Sequence, residues 1–232
     1  MRITFRHNDT VQVFRLGTTT NDKICSNPKE KVVQSYTFSR KQFELVARNE
    51  NKGMKMFFSN ADTNCLDCPF NSFGKCYTHK MFQYSGMVSM LKSIARTYPT
   101  FESIPDTYNL DDLIKITKGR YLRLGTYGEV SIIPREIIEA LTSVSRSWTG
   151  YTHQWKKVDL GKYVMASTHN KQEELLAATL GYRSFIVSDE KQDVVNCPAS
   201  KEAGYKTSCE KCNLCSGTLG TKSKKSIFIL TH

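Results

Sequence analysis

The chain has 232 residues, 39% of them hydrophobic and 24% charged, a balance that describes a folded globular protein and excludes a disordered or collagen-like one. Its 33 basic and 22 acidic residues leave a net charge of +11, an excess that points to a polyanionic partner, above all nucleic acid, through neutralisation of phosphates. No apolar run reaches the length of a membrane span, and the polar start Met1-Arg-Ile-Thr-Phe-Arg6 lacks signal-peptide character, so the expectation is a cytoplasmic protein with reduced thiols and no membrane partner.

In chain order, residues 1–53 read as a β-rich N-terminal extension. Arg2–Arg6 and Val11–Leu16 alternate around Asn8-Asp9 as a hairpin, and Lys31–Phe38 is a third strand. Ser39 and Gln42 form a capping box that opens a short helix, which ends before Gly53. Met54–Phe58 is an apolar run with the length of a buried strand. Met81–Thr97 is helical with a Met-rich core face, and Asn109 caps another helix that stops at Gly119. Tyr121–Leu124 is a strand, Arg135–Val144 a helix behind Pro134, and Trp148–Trp155 and Tyr163–Ala166 two more strands. Asn170 with Glu173 caps a helix closed by Gly181, followed by strands at Tyr182–Val187 and Ser226–Leu230. The alternation over 54–232 predicts one α/β domain, a mostly parallel sheet or partial (β/α)6-like barrel, with its functional face at the carboxyl ends of the strands.

Seven of the eight cysteines fall in two windows: Cys65-x2-Cys68-x7-Cys76, with His79 three residues on, and Cys197-x11-Cys209-x2-Cys212-x2-Cys215. Two-residue gaps bring two thiolates onto one ion from a single turn, so both windows are predicted metal-binding loops. The tail window has four thiolates, enough for one closed site of iron–sulfur or zinc type. For the first window two completions compete. With His79 it is a Cys3His zinc module; without it, three thiolates on a four-iron cluster leave one iron open. Cys25, isolated in the polar stretch Gly17–Glu30, reads as a packed structural thiol.

Polar residues at the predicted strand ends, namely Arg123, Tyr127, Tyr151, His153, Gln154, Ser167 and His169, are candidates to line a pocket on that face. Arg123 suits a phosphate or carboxylate and His153 a proton transfer near neutral pH. Tyr127 and His169 complete the candidate catalytic set. Lys222-Ser-Lys-Lys225 reads as a solvated basic loop. No Walker loop, dinucleotide-binding glycine fingerprint or nucleophile elbow occurs.

The motifs Cys65-x2-Cys68-Pro69, Gly74-Lys-Cys76-Tyr77, Arg123-Leu-Gly-Thr-Tyr-Gly128, Gly150-Tyr-Thr-His-Gln-Trp155, Met165-Ala-Ser167, Gly181-Tyr-Arg-Ser-Phe185, Cys197-Pro-Ala-Ser200 and Cys209-x2-Cys212-x-Leu-Cys215 together resemble an uncharacterised group of phage and prophage proteins. The order of elements is also similar to that of the radical S-adenosylmethionine enzymes, though the spacing here is not their Cys-x3-Cys-x2-Cys. By that resemblance Cys65, Cys68 and Cys76 hold a catalytic cluster that binds S-adenosylmethionine, and the tail cysteines hold an auxiliary cluster. The phage resemblance implies the setting of an infected host cell and the second resemblance radical chemistry; with the basic charge, the expectation is a metal–thiolate protein, of iron–sulfur type ahead of zinc, that acts on nucleic acid or a nucleotide. The alternatives are a non-catalytic, zinc-stabilised nucleic-acid-binding protein and a phage interaction protein that modulates a host factor.

Overall fold

Strands β1 (Arg2–His7) and β2 (Thr10–Gly17) pair antiparallel with His7 opposite Thr10, and Asn8 turns the chain in the left-handed region at φ 50°. The computed structural model describes residues 1–72, 74 and 76–230; Lys75 of the Gly74–Tyr77 motif lies outside them. Strand β3 (Val32–Ser39) returns along β2 and runs into α1 (Arg40–Ala47) through the expected capping box. Ser39 Oγ accepts the Gln42 N–H at 3.0 Å while Gln42 Oε1 accepts the Ser39 N–H at 3.2 Å.

Met54–Phe58 is a helix, α2, not the expected strand. A five-residue apolar run carries no period that separates the two. Gly53, at φ 131°, restarts the chain after α1, and the helical turn drives Phe57 and Phe58 into a core beside Tyr84 and Tyr127. Helices α3 (Asp62–Cys65), α4 (Met81–Thr97) and α5 (Leu110–Thr117) follow, the last capped by Asn109. The first cysteine window thus begins at the end of the short helix α3 rather than after a strand.

From β4 (Tyr121–Tyr127) the elements are α6 (Arg135–Val144), β5 (Ser147–Thr149), β6 (Tyr151–Thr152), β7 (Met165–Thr168), α7 (Lys171–Thr179), β8 (Ser184–Ser188), β9 (Val195–Asn196), α8 (Cys209–Cys212) and β10 (Ile227–Leu230). The order follows the sequence reading, except that the single strand expected over Trp148–Trp155 is broken at Gly150 into β5 and β6 of different sheets, and that β9 and α8 are additional. They form two five-stranded sheets, ordered β1-β2-β3-β4-β5 and β6-β7-β8-β10-β9. The first is mixed, with β3, β4 and β5 parallel. Every pairing of the second is parallel. The α/β class with mostly parallel strands is therefore as expected, and the sheets do not close into a barrel. Strand β3 belongs to the β-rich stretch 1–53 yet pairs with β4, so one sheet runs across residue 53. No described helix is long and apolar enough to cross a membrane.

The period-two alternation of strands sorts the two faces. Leu122, Leu124, Trp148, Val164 and Ala166 join a core built with Leu113 of α5, Ile137 and Leu141 of α6 and Ala177 of α7. Arg123, Thr149, Tyr151, His153, Ser167, Phe185, Val187, Ile227 and Ile229 all meet on the opposite face around one cavity. Registers place Arg123 beside Thr149, and Phe185 beside both Ser167 and Ile227.

The single residue between β5 and β6 is Gly150. Its N–H donates to the Cys215 carbonyl at 3.1 Å, and its own carbonyl accepts the Met165 N–H at 3.0 Å. A Cβ there would lie 2.7 Å from Val164 Cγ1 and 3.1 Å from Leu124 Cβ. Gly150→Ala is expected to destabilise the fold by about 1–3 kcal/mol through overpacking, measured by urea unfolding.

Candidate functional site

The cavity on the inner sheet face has a volume of about 450 Å³, within the range of small-molecule and cofactor sites. Four groups of residues enclose it. The strands supply Arg123, Tyr151, Ser167 and Phe185, with His153 directly after β6; the first cysteine loop supplies Phe70 and Tyr77, with Lys80 before α4; the β2–β3 loop supplies Lys23 and Ile24; the tail supplies Cys197, Cys209, Cys212 and Cys215.

Backbone contacts draw the tail cysteines to this wall. The Cys197 N–H donates to the Phe228 carbonyl of β10 at 2.8 Å, and the Cys209 N–H donates to the Lys23 carbonyl at 2.8 Å. Asn213 ends the one-turn helix α8 in the left-handed conformation, φ 53°, which sends Cys215 back toward Gly150. The Arg183 guanidinium clamps the segment by donating to the carbonyls of Leu214, Gly217 and Lys225. Glu210 Oε1 accepts from the Ser26 N–H and hydroxyl, both at 3.1 Å, which fixes the β2–β3 loop on α8. Cys25 is fully buried under that contact, packed as a structural thiol.

Burial pushes the Cys209 thiol up to about 11, against the opposing pull of Arg123 and Lys23, and pushes Cys197 and Cys215 upward as well. Cys197, Cys209 and Cys212 each bear electrostatically on Cys215, so the four sulfurs share one neighbourhood. An all-sulfur set is the donor chemistry of zinc or iron–sulfur centres. As the side chains stand, no group of three or more His, Cys, Asp or Glu among the described residues is gathered closely enough to hold an ion.

The first cysteine loop is held from three sides. The Asn64 amide donates to the Thr37 carbonyl at 2.8 Å, and the Glu129 N–H donates to the Asn64 carbonyl at 2.7 Å. Gly128, at φ 80°, permits this approach, since a Cβ would sit 2.6 Å from the Thr37 carbonyl oxygen. Asp67 accepts from Gln154 and pairs with Lys157, while Arg123 Nη2 donates to the Tyr77 hydroxyl at 3.0 Å. Burial raises the Cys65 and Cys68 thiols, Cys68 to about 12, and nearby Cys76 and Glu129 add to both shifts. The three half-buried sulfurs are thus neighbours, but none of them lines the cavity. His79 is buried against Phe58, and its Nδ1 accepts the Gly74 N–H at 3.0 Å. With Nδ1 an acceptor, the neutral ring carries its proton on Nε2.

The candidate polar residues divide. Tyr127 is 3% exposed in the aromatic core with Phe38, Phe57 and Phe58, and its hydroxyl accepts from Gln42 at 2.6 Å; it does not reach the cavity. Gln154 is buried and engaged with Asp67. His153 and His169 stack at 6.0 Å, each edge-on to Phe70, and border a second cavity of about 220 Å³. Of the two, only His153 also lines the main cavity. His153 Nδ1 is buried with no hydrogen-bond partner. Tyr151 lines the main cavity with its ring 4.4 Å from Phe185.

Sequence reasoning missed Glu129, 4% exposed, which accepts from the His153 and Ser131 amides. An acidic residue inside the apolar stretch Tyr127–Ile133, directly after a glycine, is the signal that marks it. No protein-family model, curated protein or solved structure matches this chain.

Burial, with His169 adding repulsion, lowers the His153 pKa from 6.5 to about 4. The unfolded chain therefore binds more protons than the fold between those values, and the stability held by neutral His153 is present above pH 6.5 and lost as pH falls toward 4. His153→Gln is expected to flatten this part of the Tm–pH profile, which thermal melts across that window would measure.

Proposed function

We propose that the chain is a metal–thiolate protein, of iron–sulfur type, that acts on a nucleotide or nucleic acid. The observation that carries this reading is the convergence of Cys197, Cys209, Cys212 and Cys215, from two separate segments, on one cavity that also presents Arg123 and no described acidic side chain. Ligation deprotonates thiols and so reverses the protonation that burial favours in their absence. Arg123 and Lys23 beside Cys209 supply positive charge that favours the thiolate form. The +11 net charge supports a phosphate-bearing partner, and the phage resemblance supports a host-cell setting.

The reading extends to a radical S-adenosylmethionine type of enzyme. Parallel strands in the sequential order β3, β4, β5 and then β6, β7, β8, β10 support it at the level of fold. The engagement of His79 Nδ1 by Gly74 supports a three-thiolate set at Cys65, Cys68 and Cys76 over a Cys3His module. A cluster held there would supply an open iron for a cofactor. The chain's own residues do the rest: Arg123 binds an anionic group, and Tyr151 and Phe185, with neutral His153 beside them on the wall, exclude water. The zinc-stabilised, non-catalytic reading is favoured by one observation: the first-loop sulfurs do not line the cavity and so serve to hold the loop.

Metal analysis with an anaerobic absorbance spectrum separates these readings. Iron with broad visible absorbance is expected, and stoichiometric zinc with a featureless visible spectrum would leave the zinc reading in its place. Cys212→Ser is expected to strip the tail metal, and unchanged metal content would remove its ligand role. Titration of single-stranded and double-stranded DNA and RNA against salt should show affinity falling as salt rises; an affinity indifferent to salt contradicts the phosphate-driven partner.

A further inference from the structure

Among the described residues, about half of the arginines form ion pairs with carboxylates, and Arg123 is one of those that do not. Arg6, Arg40, Arg48, Arg135 and Arg146 each form an ion pair with a carboxylate. Arg123, half-buried on β4, instead donates to a neutral phenol, Tyr77, at 3.0 Å. The other cations on the cavity wall are Lys23 and Lys80, and no Asp or Glu is among the described lining residues. A guanidinium left with a weak neutral acceptor, inside a largely apolar chamber, is a docking point for an anion that can take two of its N–H groups at once. Beside it the Tyr151 and Phe185 rings lie 4.4 Å apart at 42°, and Phe70 enters from the first cysteine loop. Aromatic faces next to a basic group are the pairing that receives a base and its phosphate. The volume, about 450 Å³, accommodates a ligand of that size.

We propose that this cavity binds a nucleoside phosphate, with the phosphate on Arg123, Lys23 and Lys80, the base against Tyr151 and Phe185, and Tyr77 as a gate whose phenol the phosphate displaces. The inference deepens the nucleotide-or-nucleic-acid reading and rests on it, but it is independent of the metal. Tyr77 directly follows Cys76, so ligand entry releases one of the ties that hold the first cysteine loop.

The test is calorimetric titration of the full chain, as purified, with the four ribonucleoside and four deoxyribonucleoside monophosphates, their unphosphorylated nucleosides, and a 5′-phosphorylated single-stranded oligonucleotide. Metal content is measured on the same samples. At least one monophosphate, or the phosphorylated oligonucleotide, is expected to bind at least about tenfold tighter than its unphosphorylated form. Tight binding of a monophosphate assigns the site to free nucleotide; binding of the oligonucleotide alone assigns it to a strand end. Arg123→Lys should weaken binding about tenfold, because a lysine cannot reproduce the bidentate fork. Tyr77→Phe, which keeps the ring and removes the competing hydroxyl, should tighten binding severalfold. Absence of phosphate-dependent binding overturns the proposal, as does an Arg123→Lys variant with unchanged affinity. If Arg123→Lys fails to fold, Tyr77→Phe decides: affinity unchanged or weakened overturns the gate. Nucleotide binding by metal-free protein would contradict the metal reading and leave this one standing, and metal without nucleotide binding would do the reverse.

Discussion

Gly150 occupies the point where one strand leaves the first sheet and enters the second, and its two backbone groups face different partners. The carbonyl accepts from Met165 and continues the strand pairing, while the N–H reaches the Cys215 carbonyl and ties the tail to the seam. No side chain fits there, because Val164 and Leu124 close on the position from the core side. The cavity depends on this break. It turns the parallel strands of the second sheet so that Tyr151 and His153 share a chamber with Arg123 and the tail cysteines.

The two cysteine windows are attached to that seam by different means. The tail is gripped through its backbone, by Gly150, Phe228, Lys23 and the Arg183 clamp, which leaves its sulfurs on the cavity wall. The first loop is gripped mainly through side chains, by Asn64, Asp67 and Tyr77, beside one backbone bond from Glu129 to Asn64, and its sulfurs neighbour Tyr127 and Glu129 rather than the chamber. Arg123 stands between the two, bonded to Tyr77 and electrostatically coupled to Cys209. Loss of the tail site would therefore alter the chamber directly, whereas loss of the first would alter it through the loop that carries Phe70 and Tyr77.

Much of the fold was legible in the sequence because its punctuation is chemically specific. Asn8 marks a hairpin, Ser39 with Gln42 a helix start, Asn109 and Asn170 two more, and each lies where the side chain caps or turns the backbone. Met54–Phe58 was not legible, since its conformation is decided by the aromatic core it meets rather than by its own pattern. Nor was the fate of Tyr127. The alternation of β4 puts Tyr127 on the same side as Arg123, and the register agrees, but Phe57 and Phe58 of α2 cover that end of the strand and take the ring into their core. Side-chain ties such as Asp67 to Gln154 span 87 residues and leave no local trace.

The central claim is that the tail sulfurs hold a metal at the wall of this chamber. X-ray absorption at the iron edge of an anaerobically prepared Cys65→Ser/Cys68→Ser double variant tests it most directly, because the tail is then the only intact cysteine group. The expected result is bound iron with a sulfur-only first shell. Absence of iron and zinc, or a first shell dominated by oxygen and nitrogen, would contradict it.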